Sequence, residues 1–167
     1  MGSVIRIVVA EGDPELSELF RERFSAVPDF EVVGAAPSGR AAIAVVTRLN
    51  PDIVTMDIDL PGIGGLEILP VVRWCNPKTK VVVLSDHDEE ATILEALELG
   101  AKGYIVKGDG TDMIKAIRAI QNGEIWVGRR VLARMLERLI GLATGAFGEA
   151  EGEPAHGMSR VYANPFS

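Results

Sequence analysis

Five short runs of β-forming residues recur along the chain, and a helical pattern follows each one. They are VIRIVVA (4–10), FEVVGAA (30–36), DIVTM (52–56), KVVVLS (80–85) and GYIVK (103–107). Most are near-continuous in Val, Ile and Leu, as expected for parallel strands buried on both faces. Five strand–helix units in succession restrict the fold to a doubly wound five-stranded parallel sheet of the α/β class. In such sheets the working crevice lies beyond the carboxyl ends of the strands. The residues at which strands stop are therefore the ones to inspect.

The helices carry start and stop signals. Asp13-Pro14 opens the first, with Asp as N-cap and Pro at the first helical position. Leu16, Leu19, Phe20 and Phe24 then form one apolar stripe. Ser38 caps the second helix, which ends at Asn50-Pro51. The third begins near Gly65 and contains Pro70, which removes a backbone hydrogen bond and is expected to shorten or kink it. The fourth is expected from about Asp88 to Gly100, with Gly as its stop, and the fifth from about Thr111 to Gly123.

Beyond Gly123 the pattern changes. EIWVG is a short apolar connector, and RRVLARMLERLI (129–140) predicts an additional C-terminal helix. Val131, Leu132, Met135, Leu136, Leu139 and Ile140 form its apolar face, with Arg129, Arg130, Arg134 and Arg138 opposite. From Gly141 the composition turns to Gly, Ala, Glu and Pro without periodicity. The expected division is a domain over 4–123, a connector and amphipathic helix over 124–141, and a disordered tail over 142–167.

Composition narrows the function classes. A length of 167 residues allows one domain plus a small appendage. Hydrophobic residues make up 47% and aromatics only 5%, so the core is aliphatic. A net charge of −7 argues against direct grip on nucleic acid, where a basic face supplies most of the affinity. The single cysteine, Cys75, cannot form an internal disulfide. No apolar run approaches a membrane span, and no signal peptide is evident. A cytoplasmic location, with no membrane contact, is the expectation.

The strand ends collect a distinctive set of polar residues. Strand one delivers Glu11, with Asp13 just after it. Strand three gives Asp57 and Asp59, strand four gives Ser85 and Asp86, and strand five gives Lys107. Carboxylates, a hydroxyl and an ammonium on one sheet edge suit phosphoryl transfer to a carboxylate. One Asp acts as nucleophile, a hard cation on oxygen ligands neutralises the phosphoryl oxygens, and a lysine and a hydroxyl pair with the same oxygens.

The order of elements, with PDIVTMDIDLPGIGGLEIL, VVVLSDHDEEA and GAKGYIVKG at those places, resembles the receiver domain of two-component response regulators, the CheY-like fold. The resemblance covers roughly residues 4–123. EVVGAAPSGRAAI and IRAIQNGEIWV are most similar to the NarL-type regulators, and VGAAPSGRAAIAVVTRLNPDIVTMDIDLPG also to the receiver of chemotaxis methylesterases. It implies a sheet of strand order 2-1-3-4-5. By position it implies that Asp57 is the phospho-acceptor, Ser85 the hydroxyl that turns toward the phosphoryl group, and Lys107 the lysine partner. Tyr104 would be the aromatic that swings inward on activation. Glu11, Asp57 and Asp59, the last through its backbone carbonyl, would hold Mg²⁺. A sensor histidine kinase and a downstream protein or output domain are the implied partners, with a homodimer also open. Enzymatic activity would be at most self-phosphorylation and self-dephosphorylation on Asp57.

Three positions depart from the family pattern. The family usually ends strand one with two adjacent acids, but Gly12 takes the second place, and Asp13 is expected to cap the helix rather than substitute. The residue after Ser85 is usually small, but here it is Asp86. A carboxylate roughly 6 Å from a phosphoryl site opposes it by about 2–3 kcal/mol at an effective dielectric near 20. Either Asp86 rebuilds a cation site with Glu11 and Asp59, or the pocket is too negative to take phosphate. Gly64 stands where the family often has an acid.

Two functions therefore compete: a phosphorylation-dependent switch, and an atypical receiver acting as a phosphorylation-independent interaction module. A metal-dependent phosphatase or nucleotide enzyme is weaker, since no glycine-rich fingerprint follows strand one. About forty residues follow the domain and none fits a helix-turn-helix, which favours a stand-alone receiver over the front part of a truncated transcription regulator. His87, a lone loop histidine, receives no role.

Overall fold

The computed structural model describes residues 2–152, with side chains described as far as residue 145. Strands and helices alternate: β1 (Ile5–Ala10), α1 (Pro14–Ser25), β2 (Phe30–Ala36), α2 (Gly39–Leu49), β3 (Ile53–Met56), α3 (Gly65–Cys75), β4 (Lys80–Ser85), α4 (Glu90–Glu98), β5 (Gly103–Val106), α5 (Met113–Gln121) and α6 (Arg129–Gly152). The strands form one parallel sheet of order β2-β1-β3-β4-β5, with one register shift between Ile7 and Val8 where β1 meets β2. Fold class and strand order are those the sequence implies.

Alternation explains the layering. Ile7 and Val9 point to one face, where Phe20 and Phe24 of α1 and Ile117 and Ile120 of α5 close over them. Val8 points to the other face, toward Val45 and Leu49 of α2, and α2 neighbours α3, which neighbours α4. Both sheet faces are thereby buried, which is why the strands carry unbroken apolar runs.

Helix ends follow local chemistry. The Asp13 carboxylate accepts the Glu15 and Leu16 amides at 2.9 and 3.4 Å, capping α1. Ser38 caps α2 through Ala41, and Asp112 caps α5 through Lys115. No side chain caps α4, and it begins at Glu90 rather than near Asp88. The third helix passes through Pro70 and reaches Cys75. There the missing donor costs the Leu66 carbonyl its partner, but does not end the helix.

After α5 the chain returns to the sheet. Trp126 bridges Gly103, donating its amide to the Lys102 carbonyl at 2.9 Å and accepting the Tyr104 amide at 2.9 Å. The chain divides into two units, Met1–Val127 and Gly128–Ser167. Within the second, α6 continues past Gly141, where the sequence reading ends it, as far as Gly152. Alanines and Leu142 between the glycines sustain the helix, although each glycine costs about 1 kcal/mol relative to alanine. The helix thus extends into 142–152, part of the stretch expected to be a tail, and 153–167 lies outside the described residues. On the apolar face of α6, Leu132, Leu136, Leu139, Ile140 and Leu142 are exposed, Leu139 at 61%, whereas Val131 is buried and Met135 half-buried.

Candidate functional site

Parallel strands bring their carboxyl ends to one edge, and there Glu11, Asp57 and Lys107 meet. The Lys107 ammonium donates to Asp57 Oδ2 at 2.9 Å and to Glu11 Oε1 at 3.0 Å. Both acids are buried, Glu11 at 4% exposure and Asp57 at 8%. The remaining oxygens are also held: Asp57 Oδ1 accepts the Asp59 amide at 2.9 Å, and Glu11 Oε2 accepts the Asp13 amide at 3.1 Å.

The charges of this trio depend on one another. Burial pushes the Glu11 carboxyl above its ordinary range, against the pull of the Asp13 amide and Lys107, and the nearby Asp57 charge adds to the push. Burial alone would lower the Lys107 pKa, but its bonds to Asp57 and Glu11 outweigh burial and raise it. Lysine therefore stays an ammonium between the two acids, and its single positive charge offsets one carboxylate charge in a site water scarcely reaches.

The neighbouring residues form a second cluster around His87. Its Nε2 lies 2.8 Å from Asp59 Oδ2, and its Nδ1 lies 3.6 Å from Glu89. The bond to Asp59 holds the imidazole pKa above its ordinary value. The His87 backbone is anchored as well. Its amide donates to Ser85 Oγ at 3.0 Å, and its carbonyl accepts the Tyr104 hydroxyl at 2.8 Å. Ser85 is fully buried, and burial raises the Tyr104 phenol pKa. The two candidate switch residues are thus tied to one loop residue, and neither bonds Asp57 directly.

His87 is the residue that sequence reasoning missed. Asp59 and His87 both lie in loops past the ends of β3 and β4, and only the folded loops, 28 residues apart in sequence, bring them together.

The suggested cation site of Asp86, Glu11 and Asp59 does not form. Asp86 is exposed, Asp59 is engaged by His87, and Glu11 by Lys107. Among the described residues no group of three or more His, Cys, Asp or Glu could hold a metal. Glu11 and Asp57 nevertheless face a single cation, the Lys107 ammonium. Two such carboxylates suit a hard divalent ion that keeps several of its waters.

Gly12 has a steric cause. A Cβ there would stand 2.7 Å from Pro61 Cδ and 3.1 Å from its Cγ. The loop after β3 lies across this spot, and a Cβ at Gly39 would in turn collide with the Ile63 carbonyl. The missing acid is therefore also a space requirement of the loop that follows Asp57.

The chain is 31% identical over 134 residues to the transcriptional regulatory protein DegU of Brevibacillus brevis, covering 80% of this chain and 57% of the relative. It is 38% identical over 105 residues to a protein-glutamate methylesterase/protein-glutamine glutaminase of a Nocardioides species, covering 62% of this chain and 29% of the relative. The signal receiver domain of the NarL regulator from Mycobacterium tuberculosis superposes with a TM-score of 0.70 at 31% identity, covering 74% of this chain and all of that one. The chain thus spans little more than half the length of the curated regulator it matches, and less of the methylesterase. The sequence profile of the response regulator receiver domain matches residues 7–120. A five-stranded parallel sheet in this order, acids and a lysine at its carboxyl edge and a profile match over most of the chain identify a member of the response regulator receiver domain family of two-component signalling.

Proposed function

We propose that Asp57 accepts a phosphoryl group from a sensor histidine kinase and that the protein thereby switches its partners. The observation that carries this reading is the Lys107 ammonium held between Asp57 Oδ2 and Glu11 Oε1. In the transfer an Asp57 carboxylate oxygen attacks phosphorus. The phosphorus–nitrogen bond of the donor histidine breaks, and the imidazole leaves with the bonding pair and takes up a proton. Lys107 and the Asp59 amide then face the new acyl phosphate, and positioned positive charge does most of the work. Glu11, Asp57 and the Asp59 carbonyl would hold Mg²⁺, which would neutralise phosphoryl oxygens when bound.

The linkage at His87 supports the switching part. If Ser85 Oγ turns to the phosphoryl group it gives up the His87 amide, and the Tyr104 bond to the same residue is released with it. A cleft of about 470 Å³ beside Lys107, floored by Leu16, Leu19, Phe20, Ile105 and Met113, offers the kinase an apolar contact. The output partner, whether a separate protein, an attached domain or a second copy through the α6 face, belongs to this proposal. So does the stand-alone reading, in which residues 4–123 act as an independent receiver.

A phosphorylation-independent interaction module is the second reading. It is favoured by Gly12 under Pro61 and by the capture of Asp59 by His87. Intact-mass analysis after incubation with Mg²⁺ and acetyl phosphate, and separately with a phosphorylated histidine kinase, divides the two. A gain of one phosphoryl group that vanishes in Asp57→Asn supports the switch. No Asp57-dependent gain from either donor leaves the interaction module standing.

A further inference from the structure

At the opposite edge of the sheet, where the strands begin, a separate cleft of about 440 Å³ opens. It is lined by Asp52, Arg73, Pro77, Lys78, Thr79, Lys80, Gly100 and Lys102. Four of these are cations and one is an acid, in a chain whose formal net charge is −7. The sequence contains only five lysines, and three of them converge here. The fourth is Lys107 at the far end of the sheet, and the fifth, Lys115, is exposed on α5.

The cations are unneutralised from within. Lys78, Lys80 and Lys102 have no carboxylate partner among the described residues. The lone acid, Asp52, accepts the Arg6 amide on Oδ2 at 2.8 Å, and its one negative charge leaves the four cations of the lining at a net charge of about +3. Arg73 is held in place: Gly100, at a φ of +113°, leaves room for the arginine stem, and the guanidinium donates to the Leu99 carbonyl at 3.3 Å. Its other donors remain available. The frame is rigid, since Lys80 donates its amide to Asp52, Lys102 donates its amide to Val81, and the Thr79 hydroxyl donates to Pro51 at 2.7 Å.

We infer that this cleft binds a small anion bearing two or more phosphate groups. Three ammoniums and one guanidinium match the charge of a di- or triphosphate, about three to four negative units at neutral pH. The volume suits a small molecule. Pro77 is the only apolar side chain in the lining apart from aliphatic stems, so a peptide anchored by hydrophobic side chains finds no pocket. The site is independent of Asp57, although β4 runs from Lys80 in the cleft to Ser85 beside the phospho-acceptor.

Isothermal titration of the full chain at low ionic strength tests the inference, using pyrophosphate, tripolyphosphate and ATP as probes. Saturable binding that weakens at least tenfold in Lys78→Glu/Lys102→Glu, and changes less than twofold in Lys115→Glu, is expected. Both positions of the double variant are exposed, and an unchanged circular-dichroism melt would show that folding is intact. Tighter binding of ATP than of tripolyphosphate would assign a nucleoside source; equal binding would assign the phosphates alone. No saturable binding of any probe, an unaffected double variant, or an equal loss in Lys115→Glu would overturn the site.

Discussion

Gly12 shows how one residue can carry two meanings. Read along the sequence it is an acid lost from a metal site; in the structure it also lets Pro61 lie against β1. A side chain there must displace a proline ring, so Gly12→Ala is expected to cost about 1–3 kcal/mol. Pro61→Ala in the same chain should return much of that cost, because the two substitutions share one contact. Chemical denaturation of the four proteins of the cycle checks this; strictly additive losses would separate Gly12 from Pro61. Lys107 poses the reverse case. Its removal leaves two buried carboxylates facing each other, and Lys107→Met should destabilise the fold by about 3 kcal/mol at neutral pH. Adding Glu11→Gln should recover part of that loss, measured in the same denaturation series. Asp57, Glu11 and Lys107 were legible in the sequence because each sits one or a few residues past an apolar strand. His87 and the role of Gly12 were not, because each depends on a loop 28 or more residues away.

Among the elements, strands were more legible than helix ends. A buried parallel strand needs an unbroken apolar run, and that run is written contiguously. A helix end depends on which side chain reaches which amide, and α4, with no side-chain cap, starts later than its acidic leader suggests. Where a cap is written plainly, it forms. Asp13 illustrates this, and its assignment to α1 rather than to a metal has a direct test. Asp13→Ala should lower stability by about 1 kcal/mol while leaving Asp57 phosphorylation by acetyl phosphate unchanged. A large loss of phosphorylation without a loss of stability would move Asp13 into the site. In α6 the glycines from Gly141 onward hide a helix that runs on to Gly152, so the sequence suggests a shorter helix than the one that forms.

Across the whole molecule, charge is divided by the sheet. Acids gather at the carboxyl edge around Asp57, and lysines gather at the amino edge around Lys80. A surface pair at the side adds a pH dependence of its own. Arg118 on α5 bonds Asp29 at 2.7 and 3.3 Å and holds that carboxyl below its ordinary 3.8. A depressed carboxyl pKa contributes stability above the unfolded value, and the contribution is lost as pH falls through the folded one. Asp29→Asn should therefore flatten the decline in melting temperature below about pH 4 and narrow its gap to the parent protein as acid is added. A constant gap at every pH would assign the pair no role. The fold was legible at this scale from five alternating units alone; the charge division was not, because Asp52, Arg73, Lys80 and Lys102 are brought together only by the sheet.

The return of Trp126 to β5 has a consequence for how the molecule behaves in a crowded solution. A terminal strand of a sheet presents unpaired amides and carbonyls to any extended chain that drifts by, and such rims seed amyloid-like stacking. Here the connector occupies part of that rim with two hydrogen bonds from its own backbone. The same seven residues that link α5 to α6 therefore act as a stopper, one that keeps the sheet from growing.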